Sequence, residues 1–265
     1  MKKFSEVGAF IFIFTIIASA IITIIISGNR ATHTHYVCIE LNPRIEFLTD
    51  SDHKVKSLKP LNHEAKELII NEEFVGLPMS DACDKFLSLC AKAGYLKIDG
   101  TNNAIKLSVL SGLNQELELK LSKTINNFLI KNNILGILID NSQDLQQYKD
   151  AKDHGVCTEK YDLMIAVKEN NPDVTLDQLK KLNNQQLIKK IEENHNNYVL
   201  EYTEEELSNK LELLTNYQGA YDAHINNITP NSTRKFKENL KEYRAQNSKV
   251  YKINYEQKYN EWLFG

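Results

Sequence analysis

The chain has 265 residues, with 32 basic and 35 acidic side chains giving a formal net charge of −3. That length leaves room for one ordinary domain plus an extension once an N-terminal anchor is set aside, and the charge lacks the basic excess that nucleic-acid binding requires. Ten glycines and five prolines exclude collagen-like and low-complexity architectures, and no repeat of solenoid length recurs.

Residues 8–27 carry no charge and are dominated by Ile, Phe and Ala. A helix of that length rises about 30 Å, the hydrocarbon thickness of a bilayer. Lys2 and Lys3 precede it, which places the N-terminus in the cytoplasm. Ala18-Ser19-Ala20 has the form of a signal-peptidase site, but the apolar run continues beyond it, so an uncleaved signal-anchor is expected. Residues 1–30 then form a cytoplasmic stub and a single membrane span, with the bilayer as partner through residues 8–27. The bulk of the chain is expected outside the cytoplasm.

Tyr36 to Leu48 reads as a strand, because Val37, Ile39 and Leu41 alternate with Tyr36, Cys38 and Glu40 at the period that buries one sheet face. Pro43 interrupts it, and the run resumes as Ile45 and Phe47, so the strand must bend or bulge there. The bend carries a specific chemistry. The Pro43 nitrogen has no hydrogen and cannot attack the Asn42 side chain, so the intramolecular route left is the reverse one. The Asn42 amide nitrogen attacks its own carbonyl, closes a succinimide and expels Pro43 as a secondary amine, a reaction that preorganisation accelerates. Set against this, Asn-Pro is also a common turn-initiating dipeptide. Glu40 and Glu46 bracket the bond and are candidate proton donors to the leaving nitrogen, although strand glutamates more often face solvent. His33 and His35 flank Thr34, but two histidines make a poor metal site, and a solvated stalk is the expectation.

Further along, 55–61 reads as a returning strand and 63–70 as a short helix. In 78–93, Ala82, Phe86, Cys90 and Ala93 share one helix face, with Gly94 at the C-cap. A strand over 104–110 precedes a helix striped by Leu117, Leu121, Ile125, Phe128 and Leu129. The continuous apolar run 134–139 is that of a strand covered on both faces. Helices over 142–153 and 158–170, and a short pair over 176–193, close the unit. The pattern predicts an α/β fold, a mixed β-sheet sandwiched by helices, preceded by the transmembrane helix and followed by a helical extension. Cys38, Cys83, Cys90 and Cys157 show no paired spacing and are read as core thiols or as one or two disulfides.

The order of these residues resembles the extracytoplasmic middle domain of RsgI-type anti-sigma factors. The likeness rests on Tyr36 to Glu46, Lys54-Val55, Leu61-Asn62, Gly76-Leu77-Pro78, Ala93-Gly94-Tyr95-Leu96, Ala151 to Tyr161 and Leu179 to Leu187, and covers 34–194 in register. It implies signal transduction across the membrane. In that family the strand breaks itself at Asn-Pro while the pieces stay paired, and loss of the outer piece lets an intramembrane protease release a cytoplasmic anti-sigma domain. Carried over, Asn42 and Pro43 are the scissile pair. Two departures stand out: the family usually has Ser where this chain has Arg44, and residues 1–7 are too few to form the family's sigma-binding domain. The output is therefore expected from a start further upstream or from a separate sigma or anti-sigma protein, unless the domain has been redeployed.

The RsgI-like domain is expected over 34–195 and a helical, Tyr-rich extension over 196–265. Thr203-Glu204-Glu205-Glu206 signals a helix start, followed by Leu207, Leu211 and Leu214. After Gly219 and Pro230, Phe236, Leu240 and Tyr243 form a second stripe, continued by Tyr251, Tyr255, Tyr259 and Trp262. These aromatics point to helix packing, or alternatively to a non-cleaving, wall-facing module that binds polysaccharide. The sequence carries no GxSxG, phosphate loop, dinucleotide loop or metal-ligand spacing. No cofactor, no metal and no enzymatic activity beyond single-turnover autoproteolysis is therefore expected.

Overall fold

The structure, a computed structural model, describes residues 34–99, 103–110, 116–140 and 145–246. The apolar segment 8–27 and the aromatic tail from Tyr251 to Trp262 lie outside the described residues, and so does the predicted start of the helix at 142. Among the described residues no helix is long and apolar enough to cross a membrane. Residues 34–246 are described below by themselves.

The elements run β1 (His35–Glu40), β2 (Arg44–Thr49), β3 (Val55–Pro60), α1 (His63–Ile69), α2 (Met79–Lys92), β4 (Ala104–Leu110), α3 (Glu116–Lys131), β5 (Ile137–Asp140), α4 (Leu145–Asp153), α5 (Thr158–Asn170), α6 (Leu176–Lys180), α7 (Asn184–Asn196) and α8 (Glu204–Asn226). A further helix follows over 230–246. The five strands form one mixed sheet in the order β3-β2-β1-β4-β5. β1 pairs antiparallel with both β2 and β4, and β5 runs parallel to β4.

The α/β class and the helix-covered mixed sheet are as the sequence predicts. One difference matters for the site. The run from Tyr36 to Leu48 is not a single bent strand but a hairpin, in which Leu41, Asn42 and Pro43 join the paired residues Glu40 and Arg44. Proline cannot extend a ladder, and Leu61 donates to the Arg44 carbonyl at the start of the next strand, so the chain turns back at this point.

β1, the middle strand, is buried on both faces. Val37 and Ile39 join Phe47, Phe86, Leu117 and Leu121 in the larger core, beneath α1, α2 and α3. Tyr36 and Cys38 join Leu48, Met164, Val167, Leu187 and Ile191 beneath α5, α6 and α7. The one-faced alternation expected of β1 is thus overridden by a second helical layer. His35, expected in a solvated stalk, is instead 6 % exposed at the start of β1, its ring edge-on to His53 at 5.1 Å.

The helix ends obey local rules. Asn62, Thr175, Asn183 and Thr203 each cap the helix that follows with a side-chain oxygen, the last three in full capping boxes. Gly94 ends α2 at φ +78° as a left-handed residue. Gly219 does not interrupt α8, because the cost of glycine inside a helix is only about 1 kcal/mol.

The helix α8 lies against the α/β body, with Tyr221 in the larger core. Its side chains reach the C-terminal ends of two body helices. The Lys210 ammonium donates to the Ile70 carbonyl beyond α1, and His224 Nε2 donates to the Asn132 carbonyl beyond α3 at 2.7 Å. Both satisfy carbonyls that a helix end leaves without an internal partner. All four cysteines are free, and Cys38, Cys83 and Cys90 are buried.

Candidate functional site

The hairpin tip is built so that its two sides differ. Asn42 is exposed and Pro43 is buried. Leu41 N–H donates to the Pro43 carbonyl at 2.9 Å, and Leu61 N–H donates to the Arg44 carbonyl at 2.8 Å. Arg44 N–H donates to the Asn62 side-chain oxygen at 2.9 Å. The Asn42 side chain hydrogen-bonds to none of the described residues.

Arg44 bridges the turn. Its Nε donates to Glu40 Oε2 at 3.1 Å, and its Nη2 lies 3.4 Å from Glu169 on α5. Burial works against the guanidinium charge, but Glu40 and Glu169 outweigh it and hold Arg44 more firmly protonated than usual. Lys106 on β4 approaches the other Glu40 oxygen at 3.8 Å. A cleft of about 430 Å³ opens beside this cluster, lined in part by Glu40, Arg44, Lys106, Tyr161 and Glu169. It brings solvent to the same end of the sheet as the Asn-Pro bond.

Of the residues singled out from sequence, the structure groups Asn42, Pro43 and Glu40 at the tip. Glu46 stands apart from them, paired with Cys38 two rungs inside the hairpin, about 7 Å along the strand from Arg44 at a rise of about 3.3 Å per residue. It does not face solvent. Its side chain is fully enclosed and is held by Tyr36 from the same hairpin and by His195, to which no sequence pattern points.

The Tyr36 hydroxyl donates to Glu46 Oε1 at 2.8 Å. On the other side, His195 Nε2 donates to Glu46 Oε2 at 3.3 Å, and Ser57 Oγ lies 3.0 Å from His195 Nδ1. Glu46 and His195 side chains are both 0 % exposed. This chain of four residues ties β1, β2, β3 and α7 together through the second face of the sheet. A buried polar group is stable only when its partners are present, and here each member satisfies the next. Burial, aided by Cys38 and Glu46, pushes the Tyr36 phenol well above its ordinary range, so it remains a donor. Burial likewise raises the Cys38 thiol, reinforced by Glu40 and Glu46. Ser57, His195 and Glu46 have the residue types of a hydrolytic relay, but the His195 and Glu46 side chains are wholly enclosed. Their arrangement is that of a strut.

His195 carried no spacing signal and could not have been found from sequence. Among the described residues no cluster of three or more His, Cys, Asp or Glu side chains could hold a metal ion.

The domain is thus a helix-covered mixed sheet whose middle strand ends in a turn with Asn42 exposed and Pro43 buried. The family model for the anti-sigma factor RsgI-like central domain matches residues 34–166, about half of the chain. The chain belongs to that family. Among similar proteins, anti-sigma-I factor RsgI9 of Acetivibrio thermocellus is 26% identical over 181 residues, 64% of this chain and 25% of its own. Anti-sigma-I factor RsgI7 of the same organism is 25% identical over 160 residues, 59% of this chain and 29% of its own. Anti-sigma-I factor RsgI of Bacillus subtilis is 24% identical over 164 residues, 61% of this chain and 40% of its own. The chain thus spans between a quarter and two fifths of the length of these relatives.

Proposed function

We propose that this chain is the extracytoplasmic, signal-receiving part of a membrane-tethered anti-sigma system, and that it nicks itself once between Asn42 and Pro43. One observation carries this reading. The bond lies at the turn that joins the middle strand to its neighbour, so a cut there leaves both pieces in the sheet. β1 keeps its backbone ladders to β2 and β4, and its apolar faces stay buried.

The balance of the step is simple. The Asn42 side-chain nitrogen forms a bond to the Asn42 carbonyl carbon, the bond to the Pro43 nitrogen breaks, and the amide proton passes to that nitrogen. The products are a C-terminal succinimide at Asn42 and a free secondary amine at Pro43. Glu40 is the carboxyl nearest the bond in sequence and the candidate to relay the proton. Residues 8–27 anchor the inner piece in the bilayer as a single span with the N-terminus inside. An intramembrane protease and a sigma or anti-sigma protein are the partners that such a device requires. No turnover of an external substrate is proposed.

The test uses the full chain produced in membranes. A denaturing gel is expected to show two pieces, the larger beginning at Pro43 by N-terminal sequencing, while native electrophoresis shows one species. Asn42→Ala should give an intact chain. A wild-type chain that never splits would overturn the proposal and favour a non-cleaving, wall-facing module. Splitting that persists in Asn42→Ala would remove the nucleophile from the account.

A further inference from the structure

We infer that Asn62 is the positioning residue for the Asn42–Pro43 bond, fixing the orientation of the carbonyl that the Asn42 side chain must attack. The inference rests on the self-cleavage proposed above and assigns to it a residue with no part in the chemistry itself.

Asn62 stands at the corner between β3 and α1 in an extended conformation, φ −145° and ψ 171°. Its single side-chain oxygen accepts two backbone N–H groups. One is that of Ala65, at 3.1 Å, which is the ordinary duty of a helix cap. The other is that of Arg44, at 2.9 Å and eighteen residues away in sequence. A side-chain carbonyl oxygen has two lone pairs and can serve both. Capping α1 requires only the first of these bonds.

The second bond completes a clamp. Arg44 is held at its N–H by Asn62 and at its carbonyl by Leu61 N–H, 2.8 Å away. Pro43 is buried, and its carbonyl accepts from Leu41 N–H at 2.9 Å. The side of the bond that leaves is thus fixed from Pro43 through Arg44. The peptide unit is planar, so a fixed Pro43 nitrogen also fixes the plane of the Asn42 carbonyl. On the other side, β1 ends at Glu40 in register with Arg44. What stays free is the exposed Asn42 side chain, which closes the five-membered ring by turning about its own two bonds. Nucleophile and carbonyl belong to one residue, and the gain from orientation comes from removing the backbone rotation between them.

The two duties of Asn62 separate by side-chain length. Asn62→Asp keeps an acceptor at the same reach and should cleave within about twofold of wild type. Asn62→Ser is an equally good cap, but its oxygen lies closer to the backbone and cannot also reach Arg44. Cleavage in that variant should slow by about tenfold or more, the scale on which a small misplacement of reacting groups acts, with a melting temperature matching that of the Asp variant. Asn62→Ala should lose both duties. The full chain, pulse-labelled during synthesis, is followed on denaturing gels at a temperature where all variants are folded. Loss of a single cap is a cost that a domain of ordinary stability tolerates. In the uncut Asn42→Ala background, hydrogen exchange at the Arg44 amide should be slow with Asn or Asp at 62 and fast with Ser. A Ser variant that splits at the wild-type rate, or that leaves the Arg44 amide protected, overturns the inference while self-cleavage stands. A wild-type chain that never splits overturns both.

Discussion

Replacing Tyr36 with Phe removes one hydroxyl from the second face of the sheet and leaves the ring in place. Tyr36 is 4 % exposed, and its hydroxyl meets Glu46 Oε1 at 2.8 Å, so apolar burial is unchanged and the loss is that bond together with the weaker contact to the Cys38 thiol. Depriving a buried group of its partner costs about 1 to 3 kcal/mol. Glu46 is fully enclosed, so water does not take the place of the phenol, and the upper half of that range is expected. With a urea dependence of about 1 to 3 kcal/mol per molar, the unfolding midpoint should fall by about 1 M. The assay is urea unfolding of the full chain in detergent, followed by circular dichroism, in the Asn42→Ala background so that every molecule is continuous. Pairing Tyr36→Phe with His195→Phe should show coupling of about 1 kcal/mol, because both residues act on one carboxyl. A midpoint shift under about 0.2 M would refute the reasoning, since Glu46 would then be satisfied without Tyr36.

Two further outcomes are expected. A side chain at Gly94, which sits at φ +78°, would meet the Tyr217 ring at 2.7 Å. Gly94→Ala should therefore cost at least about 1 to 2 kcal/mol for the left-handed backbone, and Tyr217→Ala in the same chain should recover only the contact part; thermal melts check this, and a neutral Gly94→Ala refutes it. Burial alone would raise the Glu72 carboxyl, but hydrogen bonds from Lys210 and Lys85 outweigh it and hold the group below its ordinary range. The folded value is therefore depressed. The stability that Glu72 contributes is complete above the ordinary carboxylate range and is lost as the pH falls through the depressed value. Melting temperatures measured from neutral pH to about pH 3 should fall less steeply in Glu72→Gln than in wild type, and parallel slopes would refute the assignment.

Most of the sheet and helix order was legible because periodicity and caps are local. The stripe of Leu117, Leu121, Ile125, Phe128 and Leu129 predicts a helix and is buried in α3. Thr203 and Glu206 predict a helix start and form a reciprocal cap. At the site, the dipeptide Asn42-Pro43 was visible as chemistry but not as a hairpin tip, because apolar alternation on both sides of Pro43 reads the same whether the chain bends or reverses. Strand alternation points Glu46 toward solvent because it says nothing of His195, the partner on α7 149 positions away. Asn62 enters the sequence pattern only beside Leu61; its bond to Arg44 depends on how β3 meets α1, which no window of sequence contains. Long-range partners of single polar groups are where local reading ends.

The placement of β1 has a consequence for how the inner piece could ever come away. With β1 gone, the five-stranded sheet falls into a β3-β2 pair and a β4-β5 pair, each marginal by itself in water, and both helical cores lose the strand that fills them, Val37 and Ile39 on one face and Tyr36 and Cys38 on the other. Detachment and collapse of the outer body would then be one event, resisted by the stability of the entire domain rather than by a few rungs. If the chain nicks itself as proposed, the nicked molecule would hold until that total is exceeded and then give way at once, a threshold and not a graded response.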